Sequence, residues 1–143
     1  DMEKLYENWK RFLKEEKIVV PTRDEMIAII RDNPNQKMHI DFPKGSMKKF
    51  RGEPKELLFD YGEWSDFINP ADDMGWDFVI VPSADPSPKL VPVGHVAYKA
   101  EIKANVGNDK IIIAPGGIYS DEDKQVIDEF YSTMKRFDSP VWY

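Results

Sequence analysis

Residues 72–82, DDMGWDFVIVP, decide how this chain is read. Asp72, Asp73 and Gly75 make an acidic, turn-prone segment that runs directly into Phe78-Val79-Ile80-Val81, an apolar, β-branched run with the composition of a buried strand. Acid side chains therefore stand at the mouth of a strand. Carboxylates are hard oxygen donors suited to Mg²⁺, and a strand end fixes them more firmly than a free loop does. The same residues also fit an ordinary solvated turn that leads into a core strand.

Upstream, Leu57-Leu58-Phe59 reads as a short strand running into Asp60-Tyr61-Gly62, and residues 63–73, EWSDFINPADD, read as a turn-rich acidic loop. Further back, Met38, Ile40 and Phe42 alternate with His39 and Asp41, the pattern of a half-buried strand, before Pro43-Lys44-Gly45-Ser46 turns the chain. Lys48, Lys49 and Arg51 then cluster around Phe50; such a group can hold phosphate oxygens, or can simply be solvated surface. Downstream, the three prolines of residues 82–89, PSADPSPK, predict a surface connection. Strand character resumes from Leu90 to Tyr98, a Gly/Asn turn is expected over Asn105 to Asp109, and Lys110 leads Ile111-Ile112-Ile113, apolar enough to be buried on both faces.

Helices are expected at both ends. Leu5, Trp9, Phe12 and Leu13 share one face of a predicted amphipathic helix over residues 2–16; Thr22 and Glu25 form a capping box ahead of Met26, Ile27 and Ile30. A second capping box, Ser120 with Asp123, starts a helix whose stripe is Val126, Ile127, Phe130, Tyr131 and Met134. Short strands, Gly/Pro turns and a closing helix predict an α+β fold, a small OB-like closed β-barrel over residues 37–143 with an N-terminal helical arm over residues 1–36.

Composition narrows the chemistry. With 143 residues, 41% hydrophobic and 13% aromatic, one globular unit with a real core is expected. A net charge of −6 argues against nucleic acid as a partner. Without cysteine, and with only His39 and His95 as histidines, any metal must be held by oxygen. No apolar run approaches the roughly 18 residues of a membrane span, and the charged opening DMEKLYENWKRFLKEEK lacks the apolar core of a signal peptide, so a soluble, cytoplasmic protein is expected.

Several segments, in order, resemble the soluble, Mg²⁺-dependent inorganic pyrophosphatases over residues 38–140. IDFPKGSMKKF is similar to that family's early strand and turn, placing Asp41 and Lys49 on its acid and lysine; DYGEW carries its Tyr-Gly, at Tyr61. ADDMGWDFVIV resembles the acidic signature, and GNDKIIIAP the later strand in which an acid precedes a lysine. EFYSTMKRF sits where the family's C-terminal helix presents a Tyr-Lys pair.

The resemblance implies an enzyme that hydrolyses pyrophosphate with metal-activated water. Asp72 and Asp77 would be catalytic, Asp72, Asp77, Asp109, Glu101 and Asp41 would hold Mg²⁺, and Lys49, Tyr61, Lys110 and Lys135 would bind pyrophosphate or another small phosphate. Departures remove parts of that machinery. Met74 replaces the middle acid, Arg51 another acid, Met134 the tyrosine, and Ala100 a further metal-ligating Asp, followed here by Glu101. The alternative is a catalytically inactive barrel that acts as a protein-binding or regulatory module, meeting a partner protein through Trp64, Trp142 and Tyr143; under either reading the chain can form a homo-oligomer. If metal binds, Asp77 is expected to matter most, because the following strand fixes its backbone; Asp77→Asn is expected to weaken binding with little loss of fold.

Overall fold

The computed structural model describes residues 2–4, 19–50, 52–99 and 109–143. The face expected of Leu5, Trp9, Phe12 and Leu13, the turn residues 105–108, and Arg51, Ala100 and Glu101 lie outside the described residues.

Helix α1 (Arg23–Asp32) starts at the expected capping box: Thr22 Oγ accepts from the Glu25 amide, and Glu25 reaches back to Thr22 N–H. Strands β1 (His39–Phe42), β2 (Met47–Phe50), β3 (Glu53–Glu56), β4 (Tyr61–Asn69), β5 (Met74–Ile80), β6 (Leu90–Val96) and β7 (Lys110–Pro115) follow. Helix α2 (Asp121–Ser132), capped by Ser120 and Asp123, and the two-residue strand β8 (Val141–Trp142) complete the described elements. None of the described helices is long and apolar enough to cross a membrane.

The strands form an open sheet, not the expected closed OB-like barrel. Six lie in the order β1-β4-β5-β7-β6-β8, while β2 and β3 pair only with each other as a separate hairpin. β5 and β7 run parallel, and the other neighbours are antiparallel. Closure requires the last strand to bond the first. Here β1 and β8 are opposite edges, β8 reaches only Gly94 and His95 of β6, and the hairpin is a sheet of its own.

Helices cover both faces of the sheet, whereas a barrel would have turned only one of them inward. Along β5 and β7 successive residues face opposite ways, so both strands are buried on both sides. Val79, Ile112 and Tyr61 join Ile127, Phe130 and Tyr131 of α2 in one cluster; Trp76, Phe78, Ile111 and Ile113 join Met26, Ile27 and Ile30 of α1 in the other. Trp76 Nε1 also donates to the Pro21 carbonyl at 2.9 Å.

Most of the expected acidic loop is strand. Residues 61–69 pair with β5 from Tyr61↔Val79 to Asn69↔Met74, with a bulge between Trp64 and Ile68. Trp64, taken from sequence as an exposed partner-binding residue, is 1% exposed and packs on Phe78 at 4.7 Å between ring centroids. Aromatic burial outweighs the turn propensity of the neighbouring acids.

Because Met26 is fully buried between α1 and the sheet, Met26→Ala should cost about 2–4 kcal/mol in urea unfolding. A loss below about 0.5 kcal/mol would mean that α1 only rests on the sheet, as a surface substitution would.

Candidate anion-binding pocket

Strand register brings charged residues into one row. Glu63 is opposite Asp77, and Asp77 is opposite Lys110, so all three project from the α2-covered face that Tyr61, Val79 and Ile112 also occupy. Lys110 Nζ donates to Asp77 Oδ2 at 2.9 Å, with side chains 2% and 15% exposed. A lysine so deeply buried requires such a partner, because an unpaired charge there is costly.

The hairpin, the segment after β6 and the segment after α2 enclose a cavity of about 180 Å³ over this pair. Lys48, Lys49 and Arg136 add three cations to Lys110, and Phe50, Tyr61, Tyr98 and Phe137 supply its walls. Lys48 Nζ lies 4.6 Å from the Phe50 ring centroid, 5.1 Å from Tyr61 and 5.2 Å from Phe42. Lys110 Nζ lies 5.2 Å from the Tyr61 centroid and 5.6 Å from Phe137. Ring faces hold these ammonium groups in place without consuming their charge.

Burial, and next the Lys110 charge, holds the Lys48 amine below the usual lysine range. Burial, with the Asp77 charge after it, lifts the Tyr61 phenol well above its ordinary value, so Tyr61 keeps its proton at neutral pH. Glu63 is raised, first by burial and then by Asp41 and Asp77. Acids thus crowd the β1–β4 side of the pair.

The residues predicted from sequence divide sharply. Lys49, Tyr61 and Lys110 line the cavity, and Asp77 lies beneath it as the partner of Lys110. Lys135 is exposed and does not line it; its neighbour Arg136 does. Asp41 pairs with His39 at 3.2 Å, and exposed Asp72 accepts the Met74 amide at 3.0 Å within its own turn. Asp109 accepts from Arg23 Nη1 at 3.0 Å and from Tyr98 N–H at 2.8 Å. Tyr98, Arg136 and Phe137 are the lining residues that sequence reasoning missed, while Lys48 entered it only as a member of the basic cluster around Phe50. The Lys48-Lys49 and Lys135-Arg136 pairs were visible signals; the fold brings both lysines of the first pair to the cavity but only Arg136 of the second.

No three histidines or acids among the described residues form a group placed to hold a metal ion. Asp77 and Asp109 already neutralise Lys110 and Arg23. Mg²⁺ would have to displace both cations, so these carboxylates, as placed, do not fit a magnesium cluster. Comparison with protein-family models, curated proteins and solved structures gives no match to this chain.

The buried pair revises the expected tolerance of Asp77→Asn. That substitution leaves Lys110 charged and buried, and should cost about 3 kcal/mol in denaturant unfolding. Asp77→Leu combined with Lys110→Met should be more stable than Asp77→Leu alone, since neither charge is then stranded. Equal stability of the single and double variants would show that the pair is solvated.

Proposed function

We propose that this pocket binds a small phosphate anion, with inorganic pyrophosphate as the leading candidate, and that the chain acts as a phosphate-binding module. The observation that carries this reading is the convergence of Lys48, Lys49 and Arg136 on a cavity whose fourth cation, Lys110, is already neutralised by Asp77. Guanidinium and ammonium donors are the groups that match phosphate oxygens, and the Tyr61 hydroxyl, which donates its proton to Asp77, lines the cavity without adding charge. At about 180 Å³ the cavity falls below the roughly 300–1,000 Å³ of sites for drug-sized ligands, which favours phosphate or pyrophosphate over a nucleotide.

The order of pyrophosphatase-like segments supports the same ligand class. Hydrolysis in that family needs metal-held water, and the pairing of Asp77 with Lys110 and of Asp109 with Arg23 favours binding without turnover. Calorimetric titration with sodium pyrophosphate, phosphate and sulfate, without divalent metal, tests the reading. Lys48→Ala and Arg136→Ala should each weaken pyrophosphate binding about tenfold, or ~1.4 kcal/mol. No heat with any of the three anions would end the proposal. Phosphate release from pyrophosphate with Mg²⁺ at the rate of an authentic pyrophosphatase would replace it with the hydrolase reading.

A pH series gives a second check. A bound anion favours the charged form of Lys48, so binding raises that amine's lowered pKa. Affinity should be complete below the lowered pKa and fall as pH rises through it. Sulfate isolates this effect because its own charge is constant. Lys48→Arg should move the decline to higher pH; an unchanged profile would exclude Lys48 as the titrating group.

A further inference from the structure

Asp109 stands one residue before Lys110 and uses both oxygens. Oδ1 accepts the Tyr98 backbone N–H at 2.8 Å, and Oδ2 accepts Arg23 Nη1 at 3.0 Å. Tyr98 and Lys110 both line the cavity, and Tyr98 is tied to Phe137, another wall residue, by a β-bridge and an edge-on ring contact of 5.1 Å. Arg23 is the first residue of α1, which packs on the opposite face of the sheet. One carboxylate therefore joins the helix behind the sheet to two walls of the cavity in front of it. With side chains 29% and 16% exposed, the ion pair is partly shielded from water.

We propose that Asp109 is a positioning residue whose ion pair with Arg23 couples α1 to the anion pocket, by fixing the backbone of Tyr98 and the start of the strand that carries Lys110. This inference rests on the phosphate-binding reading. It assigns Asp109 a role different from metal ligation, and gives α1 a part in setting affinity beyond filling the core.

Electrostatics and positioning predict different signs. If Asp109 acted only through its charge, removing that charge would make the pocket more positive and tighten anion binding, whereas removing Arg23 would loosen it. Positioning predicts that both changes loosen binding. The test is metal-free pyrophosphate titration of the wild-type chain, Arg23→Met, Asp109→Asn, the double variant and Arg23→Lys, each with its melting temperature. Both single variants should weaken binding about fivefold, the double variant should be no weaker than the worse single, and Arg23→Lys should stay within about twofold of wild type.

Tighter binding in Asp109→Asn, or single effects that multiply in the double variant, would overturn the coupling while leaving the pocket reading intact. A wild-type chain that binds no pyrophosphate overturns both. If Asp109→Asn does not fold, amide hydrogen exchange of Tyr98 in Arg23→Met decides: faster exchange together with weaker binding supports the coupling, and exchange unchanged from wild type overturns it.

Discussion

The parallel pairing of β5 with β7 is the constraint on which the rest of this molecule depends. It sets Asp77 against Lys110 at one end and Phe78-Val79-Ile80 against Ile111-Ile112-Ile113 beyond it. Two strands apolar on both faces must be covered on both faces, and α1 and α2 do so. The ion pair sits where this apolar contact ends and the cavity begins. Its attraction offsets the cost of desolvating Lys110, and its near neutrality leaves the cavity's sign to Lys48, Lys49 and Arg136.

Local signals carried far in this sequence. Both capping boxes form as read, and strands appear at His39–Phe42, Met74–Ile80, Leu90–Val96 and Lys110–Pro115. Each depends on neighbours a few residues apart. Sheet order does not, since it is settled by which distant strands meet. The barrel expectation failed there: short strands with Gly/Pro turns occur in open sheets as well as closed ones, and nothing within any strand states whether its outer edge is paired. Residues 63–69 failed for a related reason. Glu63 and Asp66 suggested solvent, while the burial of Trp64 and Asn69 became evident only against β5 and the elements packed on it.

The site residues show the same limit at finer scale. Neighbours on a strand face opposite ways, so choosing Lys49 over Lys48 is a choice of face. The structure brings both lysines to the cavity but lays Lys48 across the rings, half-buried, and leaves Lys49 exposed. At the end of α2 the one-residue step from Lys135 to Arg136 separates an exposed side chain from one that lines the cavity. The chain's net charge of −6 concealed this local reversal of sign, because a total says nothing about distribution.

Asp77 and Asp109 stand near the cavity without lining it, and their partners decide what they can do. Asp77 and Asp109 each hold a cation that is itself anchored, Lys110 by the sheet and Arg23 by the start of α1. A divalent ion that took either carboxylate would gain one ligand and strand the cation that carboxylate holds, and the penalty for unpaired charge in such surroundings is of the same order as the gain. An incoming phosphate faces the opposite balance. It adds negative charge beside Lys48, whose ammonium form is disfavoured by burial and by Lys110, and so relieves a repulsion already built into the pocket. The arrangement is therefore better matched to an anion than to a metal ion, and the match follows from which acids are already paired rather than from how many are present.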